Sequence, residues 1–287
     1  MPLPRDPQAI TVTGYGGVDL NVWDYGGLGE PLLLVHCTGT LGRIWDVVVA
    51  ELGDRFRILA PDTRGQGDSQ APEQRRDYLW DFSGQDLLAI MEHFDLPRGM
   101  GAVGHSAGGA HVAYAERRVP GIFGKVMLID AIIADRIFFN GEHPLAEKVR
   151  KRKNEFETLE AARERLSSKP PMEHWVPGAV DSYIEHAFTP AEGGGFQLKC
   201  PGSRESWFYE LGGASDIYDV LDTLQFEACV VTGENSYAQP WAAAQQARLP
   251  KAKLEVIPGA GHFIPQEKPV ETAALIKGWF SSNADAL

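Results

Sequence analysis

Short apolar runs that end in loop-forming residues recur along the chain, and longer amphipathic stretches separate them. The runs are PLLLVH at 31–36, FRILAPD at 56–62, MGAVGH at 100–105, KVMLID at 125–130, ACVVTG at 228–233 and KLEVIPG at 253–259. A strand covered on both faces reads as a continuous apolar run rather than an alternation, so these runs predict buried parallel strands. Helical periodicity falls between them, at Tyr78 to Phe94, Gly108 to Val119 and Val270 to Ser281. Strand and helix alternating in this way predict an α/β fold with a mostly parallel sheet.

The alternation stops over residues 134–219. A charged stretch with helical pattern, AEKVRKRKNEFETLEAARERLSSKPPMEHW, is followed by PGAVDSYIEHAF and then by GGGFQLKC, which predicts one short strand. The expected organisation is therefore a core of residues 1–133 and 220–287 carrying a mainly helical cap insertion at 134–219, folded over one edge of the sheet. The charge run Lys148 to Lys153 reads as a solvated helix face.

Composition narrows the function classes. With 44% hydrophobic residues in 287, the chain buries a large core. Its formal net charge of -12 argues against nucleic-acid and anionic-membrane partners, both of which need a basic surface. No run approaches the length needed to span a bilayer, and the start MPLPRDPQAITV lacks the regions of a signal peptide, so a cytoplasmic protein is expected. Three cysteines, Cys37, Cys200 and Cys229, lack the paired spacing of zinc sites, and no metal or cofactor is expected.

The candidate chemistry lies where MGAVGH runs into a helix. Gly104-His105-Ser106-Ala107-Gly108 is a G-x-S-x-G pattern at a strand-to-helix turn, the context in which such a serine is a nucleophile held at the apex of a tight elbow. The Ala107 N–H then faces the space before the hydroxyl, at the positive end of the helix. A serine hydroxyl needs a base. Of eight histidines, His262 stands in a glycine-containing loop after a predicted strand, GAGHFIP. His93, His111, His174 and His186 fall in helical patterns and read as surface or cap residues, while His36 and His105 read as braces of the loops that follow their strands.

With VHCTGT after an early strand, PDTRGQGDS after the next, GHSAGG at the elbow and GAGHFIP near the end, the chain resembles the α/β-hydrolase superfamily over nearly its whole length outside the insertion. The resemblance implies a triad in the order serine, acid, histidine, and a second oxyanion donor from VHCTGT, the N–H of Thr38 or of Cys37, beside Ala107. It also implies structural roles for Asp62, Arg64 and Gly67. For the acid it offers two positions. The loop after ACVVTG, where Gly-x-x-Asp is common, reads Gly233-Glu234-Asn235-Ser236, with Glu234 out of register; the end of VMLIDAII offers Asp130. Asp130 is the favoured candidate and Glu234 the alternative.

Serine, base and oxyanion hole imply a serine esterase or lactonase. Its expected substrate is a small to medium apolar ester or lactone, because the insertion shows few cations near its apolar stretches. Cys37, His105, Trp175 and Trp207 are the expected pocket residues, with Phe138, Phe139, Tyr183, Phe188 and Phe208 as further aromatics of the insertion. Two alternatives stay open: carbon–carbon bond hydrolysis of a diketone by the same triad, and a non-enzymatic ligand receptor on the same fold.

Overall fold

The computed structural model describes residues 3, 6–135, 144–212 and 215–281. The main sheet has the order β1 (Gln8–Thr13), β2 (Asp19–Gly26), β4 (Arg57–Pro61), β3 (Pro31–Val35), β5 (Met100–His105), β6 (Phe123–Ile129), β10 (Glu227–Gly233), β11 (Ala252–Ile257). From β4 to β11 neighbouring strands are parallel, and β1 and β2 join antiparallel at one edge. The α/β class expected from the apolar runs is the class observed, and each of the six runs lies on one of the parallel strands. The pair β1–β2 falls outside that expectation. Only Val12 is fully buried in β1, because an edge strand with one wet face has no continuous apolar run to show.

Alternate residues of β3 enter different cores. Leu33 and Val35 pack with Leu87 and Ile90 of α2 (Trp80–His93) and Val112 of α3 (Ala107–Arg118). Leu32 and Leu34 pack with Val48 and Val49 of α1 (Asp46–Leu52) and Ile276 of α11 (Pro269–Phe280). Burial on both faces is why this strand is apolar throughout, and each such leucine contributes about 1.5–3 kcal/mol relative to exposure. The short α10 (Ile264–Glu267) leads into α11, while α9 (Gln239–Arg248) lies on the α2–α3 side through Ala242.

His111 departs from the expected surface or cap position. It is 1% exposed on α3, edge-on to Trp80, and burial pushes its pKa from 6.5 down to about 3. An unfolded chain therefore binds a proton there that the native state does not, so this group favours folding at neutral pH and the advantage drains away as pH falls below about 6.5. Burial acts in the same sense on His36, down to about 4. For His111→Leu, urea denaturation is expected to show a shallower acid loss of stability, by about 1.4 kcal/mol per pH unit between about pH 6 and pH 4. An unchanged slope would contradict the buried neutral imidazole.

β6 and β10 are adjacent and parallel, so the chain between them leaves at the carboxyl end of β6 and re-enters the sheet at the amino end of β10. This excursion contains α4 (Pro144–Arg150), β7 (Glu155–Phe156), α5 (Leu159–Ser167), α6 (Pro177–His186), β8 (Phe188–Pro190), β9 (Phe196–Leu198), α7 (Gly202–Leu211) and α8 (Ser215–Tyr218). Where one short strand was expected, three form a small antiparallel sheet in the order β7-β9-β8. Polar contacts tie the excursion to the core: Ser182 Oγ donates to the Arg43 carbonyl at 2.6 Å, Lys199 Nζ lies 2.6 Å from Asp68 Oδ1, and the Val176 N–H donates to the Gln266 carbonyl at 2.9 Å. The run Lys148 to Lys153 is largely solvated, with one exception: Arg152 turns inward.

Candidate active site

The carboxyl ends of β5, β6, β10 and β11 lie side by side, and each supplies part of one hydrogen-bonded group. Ser106 follows β5 directly, with φ 55° and ψ -118°, in the left-handed region that a non-glycine residue enters at a cost of about 1–3 kcal/mol. Its N–H donates to the Ile129 carbonyl at 2.9 Å, and its carbonyl accepts from Gly109 and Ile132 N–H, both at 3.1 Å. The flanking glycines make the turn possible. A Cβ on Gly108 would lie 2.3 Å from the Val35 carbonyl oxygen, and one on Gly104 2.5 Å from the Gly109 Cα. Ala107 opens α3, so its N–H has no intrahelical acceptor and stands at the positive helix end.

Asp130 ends β6, its N–H donating to the Val231 carbonyl at 2.7 Å and its side chain fully buried. His262, on the loop after β11, links it to the serine: Nδ1 lies 2.9 Å from Asp130 Oδ2 and Nε2 lies 3.1 Å from Ser106 Oγ. Glu234 takes no part in this chain, since its carboxylate accepts the Gly259 N–H at 2.8 Å. The serine that stands at the Gly-x-x-Asp position has a different role in the geometry. Ser236 Oγ donates to Asp130 Oδ2, while Thr232 Oγ1 donates to Oδ1 at 2.6 Å. Both carboxylate oxygens are thus held by hydroxyls from the end of β10 and the loop after it, and neither hydroxyl belongs to a motif that singled it out in the sequence.

The histidine loop is itself fixed. Gly233 lets it cross the end of β10, for a Cβ there would stand 2.2 Å from the Gly261 carbonyl oxygen. Glu267 accepts the Gly261 N–H at 2.6 Å and the Phe263 N–H at 3.2 Å, gripping the residues on both sides of His262. His105 Nε2 donates to the His262 carbonyl at 2.9 Å, and burial, with His262 close by, pushes the His105 pKa down to about 3, leaving a neutral brace. His105 and Glu267 thus support the backbone of the residue between them.

The loop after β3 is braced in the same manner. His36 accepts the Thr63 N–H at Nε2, 2.9 Å, which leaves the Nδ1 proton for the Cys37 carbonyl at 2.8 Å. Cys37 and Thr38 are both buried there, and burial pushes the Cys37 thiol up to about 12, where it stays protonated. Among the described residues no acceptor bonds the N–H of Cys37 or Thr38.

The expected pocket residues are divided. Trp175 packs against Phe263 at 5.3 Å between ring centroids, next to His262, whereas Trp207 meets Tyr78 edge-on and packs beside Cys200 and Phe208 in a separate cluster. Tyr183 and Phe188 are buried with Phe156 in the core that continues beneath the excursion. Phe138 and Phe139 lie outside the described residues. Tyr237 was not singled out, yet its ring lies 4.9 Å from that of His262 while the residue is 56% exposed, at the solvent side of the imidazole. Among the described residues no cluster of three or more histidine, cysteine or acidic side chains is arranged to hold a metal, and no helix is long and apolar enough to cross a membrane.

Residues 32–275 match the model of the alpha/beta hydrolase family, and the chain belongs to that family. Over 274 residues, 93% of each chain, it is 27% identical to 2-(acetamidomethylene)succinate hydrolase of Mesorhizobium japonicum. A crystal structure of E-2-(acetamidomethylene)succinate hydrolase superposes with a TM-score of 0.79 at 22% identity, over 96% of this chain and 100% of that one. A bifunctional esterase/perhydrolase of Acinetobacter calcoaceticus is 34% identical over 124 residues, 42% of this chain and 44% of that one.

Proposed function

We propose that the protein is a serine hydrolase that cleaves a carboxylic ester or lactone of a small to medium apolar substrate through an acyl-enzyme. The observation that carries the reading is the continuous line from Ser106 Oγ through His262 to the buried Asp130 carboxylate, at 3.1 and 2.9 Å. Ser106 attacks the carbonyl carbon while His262 Nε2 takes its proton. The tetrahedral oxyanion is held by the Ala107 N–H and by that of Thr38 or Cys37. His262 returns the proton to the leaving oxygen, and water, activated by the same nitrogen, then releases the acid and regenerates the serine. Asp130 keeps Nδ1 protonated and stabilises the imidazolium. Residues 134–219 act as a cap over this site, with Trp175 and Tyr237 beside the imidazole.

A second reading, hydrolysis of an acetamido compound, is favoured by the Mesorhizobium japonicum relative, whose similarity spans 93% of both chains. The same groups would serve it, with nitrogen in place of the leaving oxygen. Turnover of an aryl ester compared with that of 2-(acetamidomethylene)succinate separates the two. A fluorophosphonate probe is expected to add its phosphonyl group to the tryptic peptide containing Ser106, read by mass spectrometry. An unlabelled native protein would remove the basis of either reading.

A further inference from the structure

Arg152 leaves the solvated charge run to pair, from a partly exposed position, with a buried carboxylate. Its Nη1 lies 2.5 Å from Glu205 Oε2 and its Nη2 donates to the Cys200 carbonyl at 2.8 Å. Glu205, on α7, is 4% exposed, and its other oxygen rests on the loop after β3: a Cβ on Gly39 would lie 2.5 Å from Oε1. Gly39 stands two residues beyond Cys37, in the loop that supplies the second oxyanion donor in the proposed mechanism. Tyr209 stabilises the Glu205 carboxylate, and Tyr183 lies close to the Arg152 guanidinium. A cavity separates Gly39, Thr40 and Leu41 from Tyr183, Leu198 and Cys200, so the pair stands at the seam between this loop and the excursion.

Holding the Glu205 charge this far from water is costly, and a well-packed apolar side chain in its place would usually be as stable or more so. Stability alone gives little reason for it. Its placement gives one. Burial raises the Glu205 pKa, while Arg152 and Tyr209 oppose that rise by stabilising the carboxylate. With its charge matched by Glu205, the Arg152 guanidinium offers no net attraction to an anionic acyl group, and the carboxylate against Gly39 repels one.

We propose that Glu205 is a specificity-determining residue: by neutralising Arg152 beside the loop after β3, it restricts the substrate to esters whose acyl group carries no negative charge. This rests on the serine-hydrolase reading above and narrows its substrate class.

The test compares p-nitrophenyl hemisuccinate with its neutral mate, p-nitrophenyl methyl succinate, which has the same succinyl backbone and leaving group and differs by the methyl that masks the carboxylate. For the native protein, kcat/KM for the hemisuccinate is expected to be at least about tenfold lower, since the fixed Glu205 carboxylate repels a like charge. In Glu205→Gln the amide still accepts from Arg152 but leaves its charge unmatched. The ratio is then expected to move at least about tenfold toward the anion, through a lower KM for the hemisuccinate, with the neutral ester still turned over. Adding Arg152→Met should erase that gain, which a looser cap alone would not do. Equal rates for both esters with the native protein, or a Glu205→Gln ratio unchanged while Ser106 is labelled and the neutral ester turns over, would overturn the specificity proposal alone. Absence of both labelling and turnover in the native protein would overturn the hydrolase reading and this proposal with it.

Discussion

Ser106→Ala is expected to abolish fluorophosphonate labelling and to lower kcat for an aryl ester by about 10⁶, the loss found where the nucleophile of such a unit is removed. The fold should survive, because the Ser106 hydroxyl is bonded only to His262 among the described residues, and alanine keeps the same backbone requirement. Ser106→Gly supplies a control. It removes the nucleophile just as completely, but relieves a non-glycine residue held at φ 55°, so chemical denaturation should find it more stable than native by about 1 kcal/mol. An inactive yet stabilised glycine variant would show that strain is maintained at this position for the sake of the hydroxyl. Efficient turnover by the alanine variant would end the serine-hydrolase reading.

Asp130→Asn is expected to lower kcat by about 10⁴, because an amide can present its NH₂ to His262 Nδ1 and stabilise the tautomer that cannot accept the serine proton. Glu234→Gln should leave kcat near native, as that carboxylate holds the Gly259 N–H instead. The hydroxyl of Ser236 makes a sharper test possible. It bonds the same Asp130 Oδ2 that receives His262 Nδ1 at 2.9 Å, so a carboxylate introduced at this position lies within a side chain's reach of the imidazole. The double variant Asp130→Asn with Ser236→Asp is therefore expected to recover at least about tenfold of the lost kcat. Native activity in Asp130→Asn would refute the assigned acid. A folded double variant with no recovery would show that position 236 cannot orient the histidine.

The depth to which the site was legible differs between its parts. The serine announces itself because its constraint is local: only Gly104 and Gly108 permit the close approaches at the elbow, so the pentapeptide carries its own signature. His262 was legible from its loop and from its place after a late strand. Asp130 shared its candidacy with Glu234, since both follow strands that end at the same edge, and residue order alone cannot say which carboxylate turns inward. Thr232, Ser236 and Glu267 gave no sign. Hydroxyls and carboxylates are common in loops, and what distinguishes these three is the partner each meets at the strand ends.

The excursion shows the same division. Its position between the fourth and fifth apolar runs was readable, because the rhythm of buried strands fails there. Its small antiparallel sheet was not, since strands of two or three residues have no room for a period. Arg152 sits inside KVRKRK, where neighbours and composition alike suggest solvent, and only the packing of α7 against α4 brings Glu205 to it.

By itself the sequence determined the α/β class, the run of parallel strands, the elbow serine and the histidine loop, all of which follow from apolar period and glycine placement within a few neighbouring residues. The tertiary structure alone decided which acid faces His262, that Ser236 and Thr232 hold it, that His111 lies in the core, and that Arg152 is paired. The physical reason is range: steric and periodic signals act along a short stretch of chain, whereas a hydrogen bond such as that between His262 and Asp130 joins residues 132 positions apart and exists only once the strands have set them side by side.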